Sequence, residues 1–136
     1  MVCLYCGGTT QVTNSRLQKR NNQVWRRRQC EACGNVFTTH ESVEFEGSLV
    51  VRHSDQRLEP FSRDNLFVSI YESCKHRTDA LSNARSLTQT VIGLLRGHIV
   101  EGTLERDVIA TVTGAALARF DTVAGTMYEA YHPKRR

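Results

Sequence analysis

Four of the five cysteines fall into two pairs, Cys3-x-x-Cys6 and Cys30-x-x-Cys33, with 23 residues between them. Two i, i+3 pairs of thiolates suit a tetrahedron around one Zn²⁺ ion, with Zn–S bonds of about 2.3 Å. Gly7 and Gly34 directly follow the second cysteine of each pair, where the backbone must turn through a positive φ and bring amides toward sulfur. Disulfides fit less well, because five cysteines leave one over and a cytosolic chain keeps its thiols reduced. A redox C-x-x-C is a poor account of two such pairs, each in a C-x-x-C-G turn. With cysteine in all four positions no coordination site stays open to water, so the expected zinc is structural, one per chain.

The elements that must hold these cysteines are short and extended. TQVTNSR and QVWRRRQ flank LQKRNN, whose Asn21-Asn22 signals a turn, and NVFTT follows the second cysteine pair. Three such strands tied by one ion make a zinc ribbon over residues 1–40, too small to fold on a hydrophobic core alone. Arg26, Arg27 and Arg28 lie on the strand that runs into Cys30, so the metal stiffens their backbone. Alternation puts Arg26 and Arg28 on one face with Val24 and Arg27 on the other with Trp25, while Arg16 on the partner strand joins one of them. Rigid guanidiniums suit bidentate contact with phosphate or with a guanine edge. Lys19 and Arg20, at the hairpin tip, suit non-specific phosphate contacts. Trp25 is either the anchor of the ribbon's core or a stacking surface for a base, with the anchor role expected.

Charge is distributed in the same sense. Before position 41 stand six bases, Arg16, Lys19, Arg20 and Arg26 to Arg28, against Glu31 alone. The head is therefore +5 and the remainder −1, within a net +4. A basic head on a nearly neutral body points to a polyanion partner for the head.

After a link at 41–47 the periodicity changes. SVEFE and SLVVRH read as strands around Gly47, with RLEPF returning after the polar Ser54-Asp55-Gln56 turn. Ser62 or Asp64 is placed to cap a helix whose apolar stripe is Leu66, Phe67, Ile70, Tyr71 and Cys74. A second stripe is Ala84, Leu87, Val91, Leu94 and Leu95. Thr103 is expected to cap a third helix, buried through Leu104, Val108, Val112 and Ala115. The fourth carries Val123, Ala124, Met127, Tyr128 and Tyr131. The fold class is α+β: a small all-β ribbon, then a mainly helical domain at 48–132 built from a β-hairpin and about four helices.

Catalysis is not expected. His53-Ser54-Asp55 contains triad residue types but reads as a turn, and Cys74, near His76, lies on an apolar stripe. There is no P-loop, no G-x-G-x-x-G after a strand and no carboxylate cluster suited to a catalytic metal. No apolar run approaches the roughly 18 residues that cross a bilayer, and Cys3, Gly7 and Gly8 stand where a secretory signal would have its apolar region. No membrane partner and a cytoplasmic location are therefore expected.

Several stretches resemble the bacterial ribonucleotide reductase transcriptional repressors (NrdR type), a zinc ribbon followed by an ATP-cone. V-x-N-S-R at 12–16, R-R-R-x-C at 26–30 and C-x-x-C-G-x-x-F-T-T-x-E at 30–41 are similar to the family's front half, and L-V-V-R-H at 49–53 and E-P-F-S-R at 59–63 to the opening of its cone. The resemblance implies a double-stranded DNA operator bound through the ribbon, with Arg16, Arg26, Arg27 and Arg28 as contacts. It further implies a cone that binds ATP or dATP, and a homo-oligomer whose state the nucleotide controls. Val51, Arg52, His53, Glu59 and Asn65 are the positions where nucleotide contacts are implied. Three positions depart from the pattern: Trp25 replaces the first of four arginines, Arg52-His53 replaces a Lys-Arg pair, and Asn65 replaces a lysine. A zinc-ribbon adaptor that docks on another protein, with a degenerate oligomerising cone, is the alternative reading.

Overall fold

The computed structural model describes residues 1–133. It divides into two compact units, Met1–Val43 and a second beginning at Glu44. In the first, β1 (Thr10–Gln18), β2 (Gln23–Cys30) and β3 (Val36–Ser42) form an antiparallel sheet in the order β1-β2-β3. A turn at 19–22 joins β1 to β2, with Asn22 at φ 50°. Asparagine tolerates that conformation better than most side chains. A bulge at Thr13 shifts the β1–β2 register between Val12 and Asn14, and the Thr13 hydroxyl donates to the Arg27 carbonyl at 3.3 Å.

Trp25 is not the core anchor expected of it. It is half-buried, and the fully buried side chains of this unit are those of Cys3 and Cys30. A three-stranded sheet with no second layer has no interior in which to seal an indole.

The SVEFE stretch does not form a strand of its own. β3 absorbs Glu41 and Ser42, and Phe45 packs edge-on against Phe61 at 5.7 Å as part of the second unit. That unit carries a second three-stranded sheet, β4 (Val50–Arg52), β5 (Leu58–Pro60) and β6 (Thr103–Glu105), in the order β5-β4-β6. Four helices complete it: α1 (Arg63–Cys74), α2 (Ala80–Leu95), α3 (Arg106–Phe120) and α4 (Thr122–Tyr131).

Ser62 caps α1, its hydroxyl accepting from the Asn65 amide at 3.1 Å. Leu66, Ile70 and Cys74 turn inward, with Phe67 and Tyr71 stacked beside them. On α2 the inward face is Ala84, Leu87, Val91 and Leu95, while Leu94 is exposed.

Thr103 does not cap α3. It opens β6, which pairs in parallel with β4 (Val51 opposite Leu104), and α3 begins at Arg106. Gly102, at φ 72°, closes the turn that precedes β6, and its carbonyl accepts from the Val50 amide at 2.9 Å. Leu104 is buried, but on a strand.

Within α3 the deepest residues are Thr113, Gly114 and Leu117, and Ala115 faces solvent. α4 buries Ala124, Gly125 and Tyr128 and leaves Val123, Met127 and Tyr131 exposed. The cause is a close crossing: a Cβ built on Gly125 would lie 2.7 Å from the Cα of Ala118. The glycine face of α4 must therefore be the one against α3. No described helix is long and apolar enough to cross a membrane.

Candidate metal centre, basic face and helical-unit clefts

The two knuckles bring their sulfurs together. The Sγ atoms of Cys3, Cys6, Cys30 and Cys33 all lie within 4.8 Å of one another. Across the knuckles Cys3 faces Cys33 at 3.8 Å and Cys6 faces Cys30 at 3.5 Å. A tetrahedron with Zn–S bonds of about 2.3 Å has edges of about 3.8 Å, so the cage has the size of a zinc site.

Gly7 and Gly34 adopt φ 75° and 71°, closing turns in which their amides donate to the carbonyls of Cys3 and Cys30. The Tyr5 amide donates to Cys3 Sγ, the Cys33 amide to Cys30 Sγ and the Asn35 side-chain amide to Cys33 Sγ, each at 3.4 Å. Such donors favour thiolate. The Asn35 backbone amide leads in holding the Cys33 thiol down to about 6. The Gly8 amide also lowers Cys6, but the facing Cys30 and Cys33 sulfurs outweigh it and push that thiol up to about 12. Four crowded thiols cannot all ionise together without a cation. One divalent ion removes that conflict, and the donor set fits a single structural zinc.

The register of the sheet divides the arginines. Arg16 lies opposite Trp25, which lies opposite His40, and Asn14 lies opposite Arg27, which lies opposite Thr38. Arg16, Trp25 and Arg27 therefore share one face. On the other face Arg26 pairs with Glu41 at 3.1 Å, and the Arg28 Nε–H donates to the Thr39 hydroxyl at 3.2 Å. Arg16 and Arg27 are exposed and, among the described residues, outside the ion pairs of this unit. Lys19 and Arg20 are exposed in the turn.

In the second unit two adjoining hollows open between the sheet and the helices. The smaller, of about 220 Å³, is walled by Val51, Phe61, Leu66 and Ile109, with Glu59 and Asn65 supplying polar groups. The larger, of about 530 Å³, is bordered by His53, Arg57, Arg106, Asp107 and Tyr131. Arg106, Ala110 and His132 line both. His132 Nε2 lies 2.7 Å from the Ser69 hydroxyl, and its ring stacks on Tyr128. Burial lowers its pKa, with the Arg106 charge acting in the same direction.

Residues 1–41 match the family model described as "Transcriptional repressor NrdR-like, N-terminal domain". A protein named Transcriptional repressor NrdR from Symbiobacterium thermophilum is 35% identical over 130 residues, covering 90% of this chain and 86% of that protein. Proteins of the same name from Novosphingobium aromaticivorans and Streptococcus pneumoniae are 36% and 34% identical, covering 91% and 90% of this chain and 77% and 78% of their own lengths. The chain belongs to the NrdR family.

Of the five positions where the resemblance implies nucleotide contacts, four line the two hollows. Val51, Glu59 and Asn65 line the smaller hollow and His53 the larger. Arg52 lines neither. Strand alternation turns it away from the buried Val51 and His53, and it pairs with Glu105 at 3.2 Å. The hollows also present Arg57, Arg106, Ser69 and His132, which no local sequence signal marks. Arg57 sits in the hairpin turn, where a basic residue reads as solvated, and Arg106 reaches the cleft only because β6 pairs with β4. The relatives' names describe a regulator of transcription rather than an enzyme.

Proposed function

We propose that this NrdR-family chain is a nucleotide-responsive, zinc-dependent repressor that binds operators upstream of ribonucleotide reductase genes through its ribbon. On this reading ATP or dATP binds the helical unit and sets the homo-oligomeric state that determines operator affinity. The observation that carries it is the metal-clamped face of Arg16, Trp25 and Arg27, whose guanidiniums are outside the unit's ion pairs while Arg26 is neutralised by Glu41. Cations held in place lose little freedom on meeting phosphate, and the flat Trp25 ring between them adds contact area. Lys19 and Arg20 extend the basic surface along the duplex backbone. Nucleotide control requires that the two nucleotide states make different contacts, not merely that nucleotide binds.

The decisive experiment is fluorescence anisotropy on a duplex from upstream of a ribonucleotide reductase gene, with ATP, dATP or neither, over a salt series. Each phosphate contact contributes about −0.9 to the slope of log K against log salt, so Arg27→Ala should weaken binding and flatten that slope. Affinity indifferent to both salt and Arg27→Ala would sink the DNA assignment. The ion pair that withdraws Arg52, with Asn65 in place of lysine, favours the adaptor alternative. That alternative requires identical size profiles with and without nucleotide, and no binding heat.

A further inference from the structure

We propose that Arg57 and Arg106, converging on the buried His53, form the phosphate cradle of this chain, in place of the basic pair and helix lysine that the family pattern would put at positions 52, 53 and 65. The proposal rests on the nucleotide-responsive reading above. The guanidinium of Arg57 lies 3.4 Å from His53 Nδ1 and that of Arg106 lies 3.3 Å from the same nitrogen. Arginine only donates, so in both contacts this nitrogen is placed as the acceptor. Two cations thus converge on one ring nitrogen, although like charges at such range repel.

Among the described residues, the ion pairs of the helical unit engage Arg52, Lys75 and Arg77, with His53 and His76 each close to a carboxylate, and leave Arg57 and Arg106 without a carboxylate at ion-pair distance. The nearby Asp55 carboxylate accepts from Arg57's own backbone amide at 3.1 Å. His53 is 5% exposed, and its Nε2 lies 2.8 Å from Glu59 Oε1 without the alignment of a hydrogen bond. Two guanidiniums that converge on one ring nitrogen with no carboxylate at ion-pair distance, and only the nearby Asp55 charge acting on Arg57, make a site suited to an anion.

The surroundings fit a polyphosphate. The larger hollow, about 530 Å³, holds the cationic groups, and the smaller, about 220 Å³, continues from it with the apolar walls that suit a base. Arg106 is the first residue of α3, whose cap residue Glu105 makes no side-chain hydrogen bond to the opening turn. Free amides and the positive end of the helix dipole therefore add to the same field. Asp107 on that turn borders the hollow as well. Its charge opposes the anion, so both arginines are required.

The test is isothermal titration of the zinc-loaded full chain with inorganic tripolyphosphate, ATP and adenosine. Arg57→Gln and Arg106→Gln should each weaken tripolyphosphate and ATP by about tenfold or more, the loss of a charge-assisted contact, and change adenosine little. Arg106→Lys, which keeps the charge, should recover part of the loss, and thermal melts would show whether each variant is folded. A folded Arg57→Gln or Arg106→Gln protein with unchanged affinity overturns the cradle, as does an Arg52→Gln loss as large as theirs. If tripolyphosphate binds and depends on Arg106 while ATP gains nothing from its nucleoside, the cradle stands and the nucleotide reading fails. If ATP binds and tripolyphosphate does not, the cradle fails and the nucleotide reading survives; binding of neither rejects both.

Discussion

Removing the metal from the ribbon should unfold that unit and leave the other standing. The first unit spans Met1–Val43, and its fully buried side chains are two cysteines of the cage. At ordinary stabilities per residue, a unit of this length is worth about 2–6 kcal/mol in total. Structural zinc in small ribbons and fingers contributes about 10–16 kcal/mol, several times that sum, so the metal-free ribbon falls well on the unfolded side. The second unit keeps its own buried cluster, including Ile70, Val91, Leu104 and Leu117, and has no such dependence. Two-dimensional amide NMR of the full chain, before and after a strong chelator, separates the two. Signals from 10–42 should collapse to unfolded positions and return with one equivalent of zinc, while those of α1 to α4 hold. Cys30→Ser should mimic chelation, whereas Cys74→Ala should still bind one zinc per chain. A chelated ribbon that keeps its dispersed signals, with metal absent by elemental analysis, would refute the reasoning.

Arg27→Ala should cost more DNA affinity than Arg26→Ala, because Glu41 already neutralises Arg26; Glu41→Gln should strengthen binding, and equal losses in the two arginine variants would argue against the face chosen here. Gly125→Ala forces α4 off Ala118 and should lower stability by about 1–3 kcal/mol in denaturant titration; a neutral result would mean that the crossing is looser than described. The Asp121 carboxylate is held far below the usual carboxylate range, first by the Ala124 amide it caps and then by Arg77 and His76. Its contribution is therefore complete above the ordinary carboxylate range and fades as pH falls from that range through the depressed value. Thermal midpoints at neutral pH should rank wild type above Asp121→Asn above Asp121→Ala, with the gap to Asp121→Asn closing in strong acid; a gap constant with pH would assign the loss to packing alone.

Local chemistry was legible in the chain itself. Cysteine spacing, the glycines after each pair and the turn at Asn21-Asn22 specify the knuckles and the hairpin without reference to anything distant, because turn geometry and ligand spacing are properties of a few consecutive residues. The stripe of α1 and its Ser62 cap are local in the same way. What the tertiary structure decided was non-local. Whether Arg16 joins Arg27 or Arg26 depends on strand register, and register past the Thr13 bulge depends on pairing with a strand about ten residues away. That Thr103 opens a strand rather than capping a helix follows from a parallel partner some fifty residues earlier, which no local propensity encodes. The same pairing carries Arg106 to His53, and the alternation of a three-residue strand turns Arg52 outward to Glu105. Residue types established that charge was present; contacts between distant segments determined which charges were already spent on one another and which remained for a ligand.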